Sequence, residues 1–286
     1  VEKTVEGHQE AAVMEDDRIA AIEPLYFASS NGRLFGCYHR PTSPVKGECG
    51  VVLCPPMGEE YIRFHRAYRL LADDLARAGF PALRFDLFGC GDSVGSSEEG
   101  RIPLWCRDVW AAIDHVRRRS AREKVCLVGL RLGGSLAALV GAERRGIEGM
   151  VLWDPVVSGR DHLVELMASH GRMLQQAHVR PVPAPAQAGP VEILGFPLTS
   201  AMRQDLDALH LLAIEEPPAN KTLVVESNPE RGQGPLVEHL TSIGADLTHQ
   251  HLPDSRLWIW DEAVGRILVA RKIVGHVVSW IAEVCA

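Results

Sequence analysis

One stretch constrains this chain more than any other: residues 124–142, KVCLVGLRLGGSLAALVGA. Lys124 to Leu130 is apolar without alternation beyond its first residue, the pattern of a strand buried on both faces. Gly133 to Arg144 is built of small and aliphatic residues and reads as a closely packed helix. Only Arg131 and Leu132 separate the two, so strand becomes helix almost at once. Gly129, Gly133 and Gly134 are the residues that allow the backbone such a turn and such close packing. A buried strand feeding straight into a helix is half of a parallel β-α-β unit.

The same alternation runs along much of the chain. Leu25–Ala28 and Leu34–Tyr38 flank Ser30-Asn31-Gly32 and predict a hairpin. The run Gly50–Cys54 ends at Pro55-Pro56. Residues 65–78 have helical spacing and stop at Gly79. A short strand (82–85), a Gly-rich turn (89–95), a helix (104–119) and a strand (150–153) follow. Residues 157–219 break the rhythm with a helix over 161–176, the Pro-rich PVPAPAQAGP at 181–190 and a second helical piece over 200–212. Strands at 222–226 and 246–252, a helix at 235–243 and a closing helix over 262–283 then complete the pattern. The expected division is a flexible arm at 1–22, an α/β core at 23–156 and 220–286, and a cap inserted at 157–219.

A chain of 286 residues buries a large core. Its net charge of -7, with no long basic block, argues against nucleic acid or an anionic membrane as partner. No apolar run reaches the roughly 18–20 residues of a membrane span. The first residues show no charged-then-apolar leader pattern, and the expected location is cytoplasmic. The seven cysteines show neither metal-type nor disulfide-type spacing, and several fall in apolar strands as small hydrophobes. No cofactor or metal is expected.

Within this pattern Gly129-x-Arg131-x-Gly133 resembles the G-x-S-x-G elbow of the α/β-hydrolase superfamily, with arginine at the position of the nucleophilic serine. Arg84-Phe85-Asp86-Leu87-Phe88-Gly89-Cys90-Gly91-Asp92-Ser93 resembles a structural turn of that superfamily. Together with the PPMGEE turn, LWDPVVSG and VEILGFPLTS, these segments are similar to the exosortase-system-associated hydrolases, a branch close to the serine aminopeptidase-like hydrolases. The resemblance spans residues 33–283. It implies a mostly parallel sheet with helices on both faces and a helical cap, and it says little about substrate.

In that superfamily the elbow residue projects over the sheet edge and the next amide, here Leu132, helps form an oxyanion hole. A guanidinium stays protonated and is no nucleophile. At a helix N-terminus it suits a carboxylate, sulfate or phosphate; the competing reading is a structural arginine paired with a buried carboxylate. The loop 253–264, where the resemblance places a catalytic histidine, contains none. His249, His251 and His276 fall inside a strand and a helix and read as packing residues. Candidate carboxylates are Asp154, after the strand ending at Trp153, and the pair Glu59 and Glu60 on the turn after Pro56. Glu230 lies near the usual position of a triad acid. Met57, Leu132, His65 and Trp153 are the expected pocket wall, with Trp258 and Trp260 at its rim. Cys54 is a conceivable nucleophile with no histidine to activate it, and Ser135 belongs to helix packing.

Three readings remain open. One is a repurposed, non-hydrolytic enzyme that binds a small anionic substrate at Arg131 and uses a carboxylate base, as in an elimination or cyclisation such as sulfate elimination in natural-product biosynthesis. Another is a non-catalytic subunit of a heteromer, binding a partner or carrier protein. The third is a hydrolase with an unconventional nucleophile or activated water.

Overall fold

The computed structural model describes residues 22–43, 47–144, 146–178, 190–228, 231–254 and 270–285. The chain forms β1 (Ile22–Ser29), β2 (Gly32–His39), β3 (Cys49–Cys54), α1 (Gly58–Arg77), β4 (Ala82–Phe85), α2 (Ile102–Ser120), β5 (Lys124–Leu130), α3 (Leu132–Glu143) and β6 (Gly149–Trp153). Then follow α4 (Gly159–Gln176), β7 (Val191–Ile193), β8 (Phe196–Leu198), α5 (Ser200–Ala208), β9 (Lys221–Glu226), α6 (Gly234–Ser242), β10 (Leu247–His251) and α7 (Arg271–Val284). Eight strands form one sheet in the order β1-β2-β4-β3-β5-β6-β9-β10, with β7 and β8 a separate hairpin. The β1–β2 and β2–β4 pairs are antiparallel and every other pair in the large sheet is parallel.

The central strands are apolar on both faces because both faces are covered. Val52, Leu127, Leu152 and Val224 point to the layer containing α2 and α3. Their strand neighbours Val51, Val128, Val151 and Leu223 point to the layer of α1 and α7. Each such side chain contributes about 1.5–3 kcal/mol on burial. Among the described residues no helix is long and apolar enough to cross a membrane.

Several expectations need correction. Helix α1 begins at Gly58 rather than near residue 65, because Gly58 takes φ +60° and turns the chain directly into the helix. Glu59 and Glu60 thereby occupy its first turn, where the helix dipole favours carboxylates. Between β6 and β9, the β7–β8 hairpin joins the two helical pieces expected there. Cys49 and Cys285 form a disulfide across 236 residues, which no local spacing could signal. Cys126 lies beside it, with its Sγ 3.1 Å from that of Cys285. The arm at residues 1–21, the segment 181–189, Glu230, Trp258, Trp260 and the expected start of the closing helix lie outside the described residues.

The segment between β6 and β9 is anchored through charge and close backbone contact. Arg101, at the N-cap of α2, donates twice to the Asp205 carboxylate on α5, each at 2.6 Å. Gly159 packs so tightly that a Cβ would meet the Leu206 carbonyl oxygen at 2.1 Å. The α4 N-terminus is thus held over the C-terminal edge of the sheet, with the Ser158 side chain capping it through the Asp161 amide.

Candidate active site

The turn between β5 and α3 is strained, and the packing explains why it persists. Arg131 has φ 52° and ψ -124°, a conformation costing about 1–3 kcal/mol for a residue with a Cβ. A Cβ on Gly129 would meet the Gly133 carbonyl oxygen at 2.4 Å, and one on Gly133 would meet the Cys54 carbonyl oxygen at 2.2 Å. Glycine at both positions lets β5, α3 and the Pro55 turn approach closely. The side chain at 131 is thereby projected between the tip of α1 and the underside of α4.

There the Arg131 guanidinium is already matched. Its Nε donates to Glu60 Oε1 at 2.8 Å, its Nη2 to Glu165 Oε2 at 2.6 Å and its Nη1 to the Asp154 carbonyl at 3.2 Å. Only 3% of the residue is exposed. Glu165 also meets Arg231, Oε1 to Nε, at 2.6 Å. Burial alone would raise the Glu60 and Glu165 carboxyls. For Glu60 the opposing charges are led by Arg131, and for Glu165 the Arg131 and Arg231 charges oppose burial; both acids are held below the usual range. Glu59, paired with Arg63 at 2.9 Å, is instead pushed up by burial.

The binding of an outside anion directly at Arg131, expected from sequence, therefore needs correction. The side chain is enclosed and its charge already faces two carboxylates. Beside it lies a cavity of about 390 Å³, walled by Glu59, Glu60, His162, Glu165, Arg172 and Arg231 among others. Glu60 Oε2 and His162 Nε2, both buried on this wall, have no hydrogen-bond partner among the described residues. His162 Nδ1 lies 3.2 Å from Arg131 Nη2 and 3.5 Å from Glu165. A guanidinium only donates, so Nδ1 is the acceptor in the shorter contact and the ring proton sits on Nε2. The wall therefore presents one acceptor and one donor that are desolvated and unmet, a costly arrangement that a polar ligand would relieve.

The remaining sequence candidates fall in different places. Asp154 is fully buried, and its carboxylate accepts from the Ser227 amide and hydroxyl and from the Asn228 amide. Burial raises its carboxyl against those bonds. It braces the β9 turn and does not line the cavity. Trp153, expected on the pocket wall, is buried on the opposite side, with Nε1 donating to Ser227 Oγ and its ring edge-on to Phe64. Alternation along β6 turns it away from the site. Leu132 is buried at the start of α3 and Met57 is the partly buried N-cap of α1. His65 lines a second cavity behind α1. Cys54 is fully buried, and burial pushes its thiol far above the ordinary value. Ser135 Oγ donates to the Val156 carbonyl at 2.7 Å. His249 and His251 both meet Glu226 at the sheet edge.

Sequence reasoning missed His162 and Glu165. The signal was a polar stripe on α4 at helical spacing, His162, Glu165, Ser169 and Arg172, all of which reach the cavity wall.

Comparison with known proteins agrees with this architecture. No protein of curated function matches the sequence. The esterase Pf2001 of Pyrococcus furiosus superposes with a TM-score of 0.62 at 10% identity, covering 93% of this chain and 92% of that one. Est1E of Butyrivibrio proteoclasticus, solved with ferulic acid bound, gives 0.60 at 14% identity over 91% and 98%. XC6422 of Xanthomonas campestris, described as a serine hydrolase without a lid, gives 0.52 at 14% identity over 82% and 84%. At these identities the likeness establishes the fold alone. A family model, "Serine aminopeptidase, S33", matches residues 48–191, from β3 through the elbow and into the cap. The chain belongs to that serine aminopeptidase family and has the α/β-hydrolase fold.

Proposed function

We propose that this chain is a repurposed, non-hydrolytic enzyme in which Arg131 stands in place of the nucleophilic serine and serves as an internal counter-charge. The observation that carries this reading is the pair of unmet atoms, Glu60 Oε2 and His162 Nε2, on the wall of a polar cavity. Arg131 holds the other Glu60 oxygen, fixing the carboxylate in its ionised form. Glu60 is then the base that takes a proton from a hydroxyl or amine of the substrate, while the His162 N–H positions an acceptor beside it. Arg231 and Arg172 offer positive charge to an anionic substrate group, so anion recognition moves from Arg131 to the open wall. Loss of a sulfate or carboxylate leaving group as the deprotonated atom attacks internally, a cyclisation of the kind used in specialised metabolism, balances without a cofactor.

A serine-directed fluorophosphonate and esters of several chain lengths test the first half of this reading. No covalent label and no turnover are expected. Labelling of any serine would overturn it. Sulfate titration tests the second half: binding that weakens at least about ten-fold in Arg172→Ala is expected, and binding unaffected by that change would count against it.

A second reading rests on Val164 and Met167, 63% and 55% exposed one turn apart on α4. A heteromeric subunit or carrier-binding protein would cover them. Stable co-purification with a second polypeptide, lost in Val164→Glu, favours that reading.

A further inference from the structure

A second guanidinium, half-buried Arg84 on β4, has no carboxylate within ion-pairing distance among the described residues. Its Nε donates to His39 Nε2 at 3.2 Å, and its Nη1 lies 3.5 Å from His65 Nε2. His39 passes the contact on, its Nδ1 lying 2.9 Å from Asp73 Oδ1. Because Arg84 can only donate, His39 must carry its proton on Nδ1 and is a neutral relay. Burial, and then the Arg84 charge, hold that histidine down at about 4. Charges withdrawn from water in proteins are ordinarily paired, so a half-buried cation whose side-chain hydrogen bonds among the described residues go to imidazoles is an incomplete arrangement.

This cation opens onto a cavity of about 340 Å³ between β2, β4 and α1, on the other side of α1 from the Glu60 site. Its walls are largely apolar and aromatic, with Phe35, Pro55, Pro56, Phe64, Tyr68 and Phe85 contributing. Of the three acids near it, Asp86 and Asp73 are committed elsewhere and Asp92 lines its open edge. Asp86 accepts from the Tyr61 hydroxyl at 2.6 Å and from the Asp92 amide at 3.0 Å. Asp73 holds His39 and lies 4.0 Å from Arg69, while Asp92 is exposed at the edge. One charged end and an apolar body describe the complementary ligand.

We propose that the Arg84 cavity is a second binding site, for a small carboxylate with an aromatic or aliphatic body, separate from the Glu60–His162 site. The carboxylate accepts from the Arg84 guanidinium and from Arg69 at the rim, and the body displaces water from the aromatic wall. Size and polarity suit a monocarboxylic acid rather than a nucleotide or a peptide.

Calorimetric titration of the full chain with phenylacetate tests this. Saturable binding is expected, weakened at least ten-fold in Arg84→Gln and unchanged in Arg172→Ala, which alters only the other cavity. Alkylation of Cys37, which also lines the Arg84 cavity, is read by peptide mass spectrometry on the unmodified sequence, so it does not depend on a variant folding. Saturating phenylacetate is expected to slow it several-fold. Absence of saturable binding, an unchanged Cys37 rate, or binding lost in Arg172→Ala and kept in Arg84→Gln would each overturn the proposal.

Discussion

Two arginines on either side of α1, Arg131 buried and Arg84 half-buried, solve the same problem in different ways. Arg131 is enclosed and paired with Glu60 and Glu165, whereas Arg84 looks into a cavity and, among the described residues, directs its side-chain hydrogen bonds to imidazoles. Burying a charge is tolerable when another charge shares the low-dielectric space. Arg131 therefore reads as part of the protein's own framework, completed from within. Arg84 reads as a position completed from outside. The lesson is that a cation at a conspicuous motif is not by itself a ligand site; its partners decide.

The largest test of the contrast is Arg131→Met. Removing the guanidinium strands a buried Glu60 carboxylate, and a loss of about 3–5 kcal/mol in urea unfolding is expected. Next comes Gly129→Ala, which pushes a Cβ into the backbone of Gly133 and Gly134. A cost of about 3 kcal/mol is expected, as for overpacking against atoms that cannot swing away. Smaller and pH-dependent is the His39 contribution. Its folded value of about 4 lies below the ordinary 6.5, so the unfolded chain binds the extra proton between them. Stability from this group is complete above pH 6.5 and falls as pH drops toward 4, by about 3 kcal/mol at most. Unfolding measured at pH 7 and pH 4 should show that share of the slope vanish in His39→Gln. Smallest is Arg84→Met, which strands no carboxylate and loses mainly the bond to His39, at about 1 kcal/mol. An Arg84→Met loss equal to that of Arg131→Met would erase the distinction between the two sites.

The fold was legible because its signals are local. Continuous apolar strands, the glycines of the elbow and the turn residues at Ser30-Asn31-Gly32 each dictate backbone conformation where they stand. The elbow itself was legible to the residue. The residues gathered around it were only half so. Glu60 was singled out from its place beyond Pro56, but His162 and Glu165 lie on α4, in the segment between β6 and β9 that is held through the Arg101–Asp205 pair and the Gly159 contact. The helical spacing on α4 marks a polar face, but local spacing does not say where that face docks. Trp153 and Asp154 were misplaced for a simpler reason: adjacent residues at a strand end point to opposite sides, and Asp154 turns back to the Ser227 amide. The Cys49–Cys285 link was invisible because it joins elements at opposite ends of the chain.

The central claim is that Arg131 acts through Glu60, as its counter-charge, and has no independent role. A double-mutant cycle on Arg131→Met and Glu60→Gln, read by urea unfolding, addresses it directly. The account predicts that Glu60→Gln relieves much of the Arg131→Met penalty, with a coupling of about 2–3 kcal/mol between the two positions. Losses that simply add, to within about 0.5 kcal/mol, would contradict it.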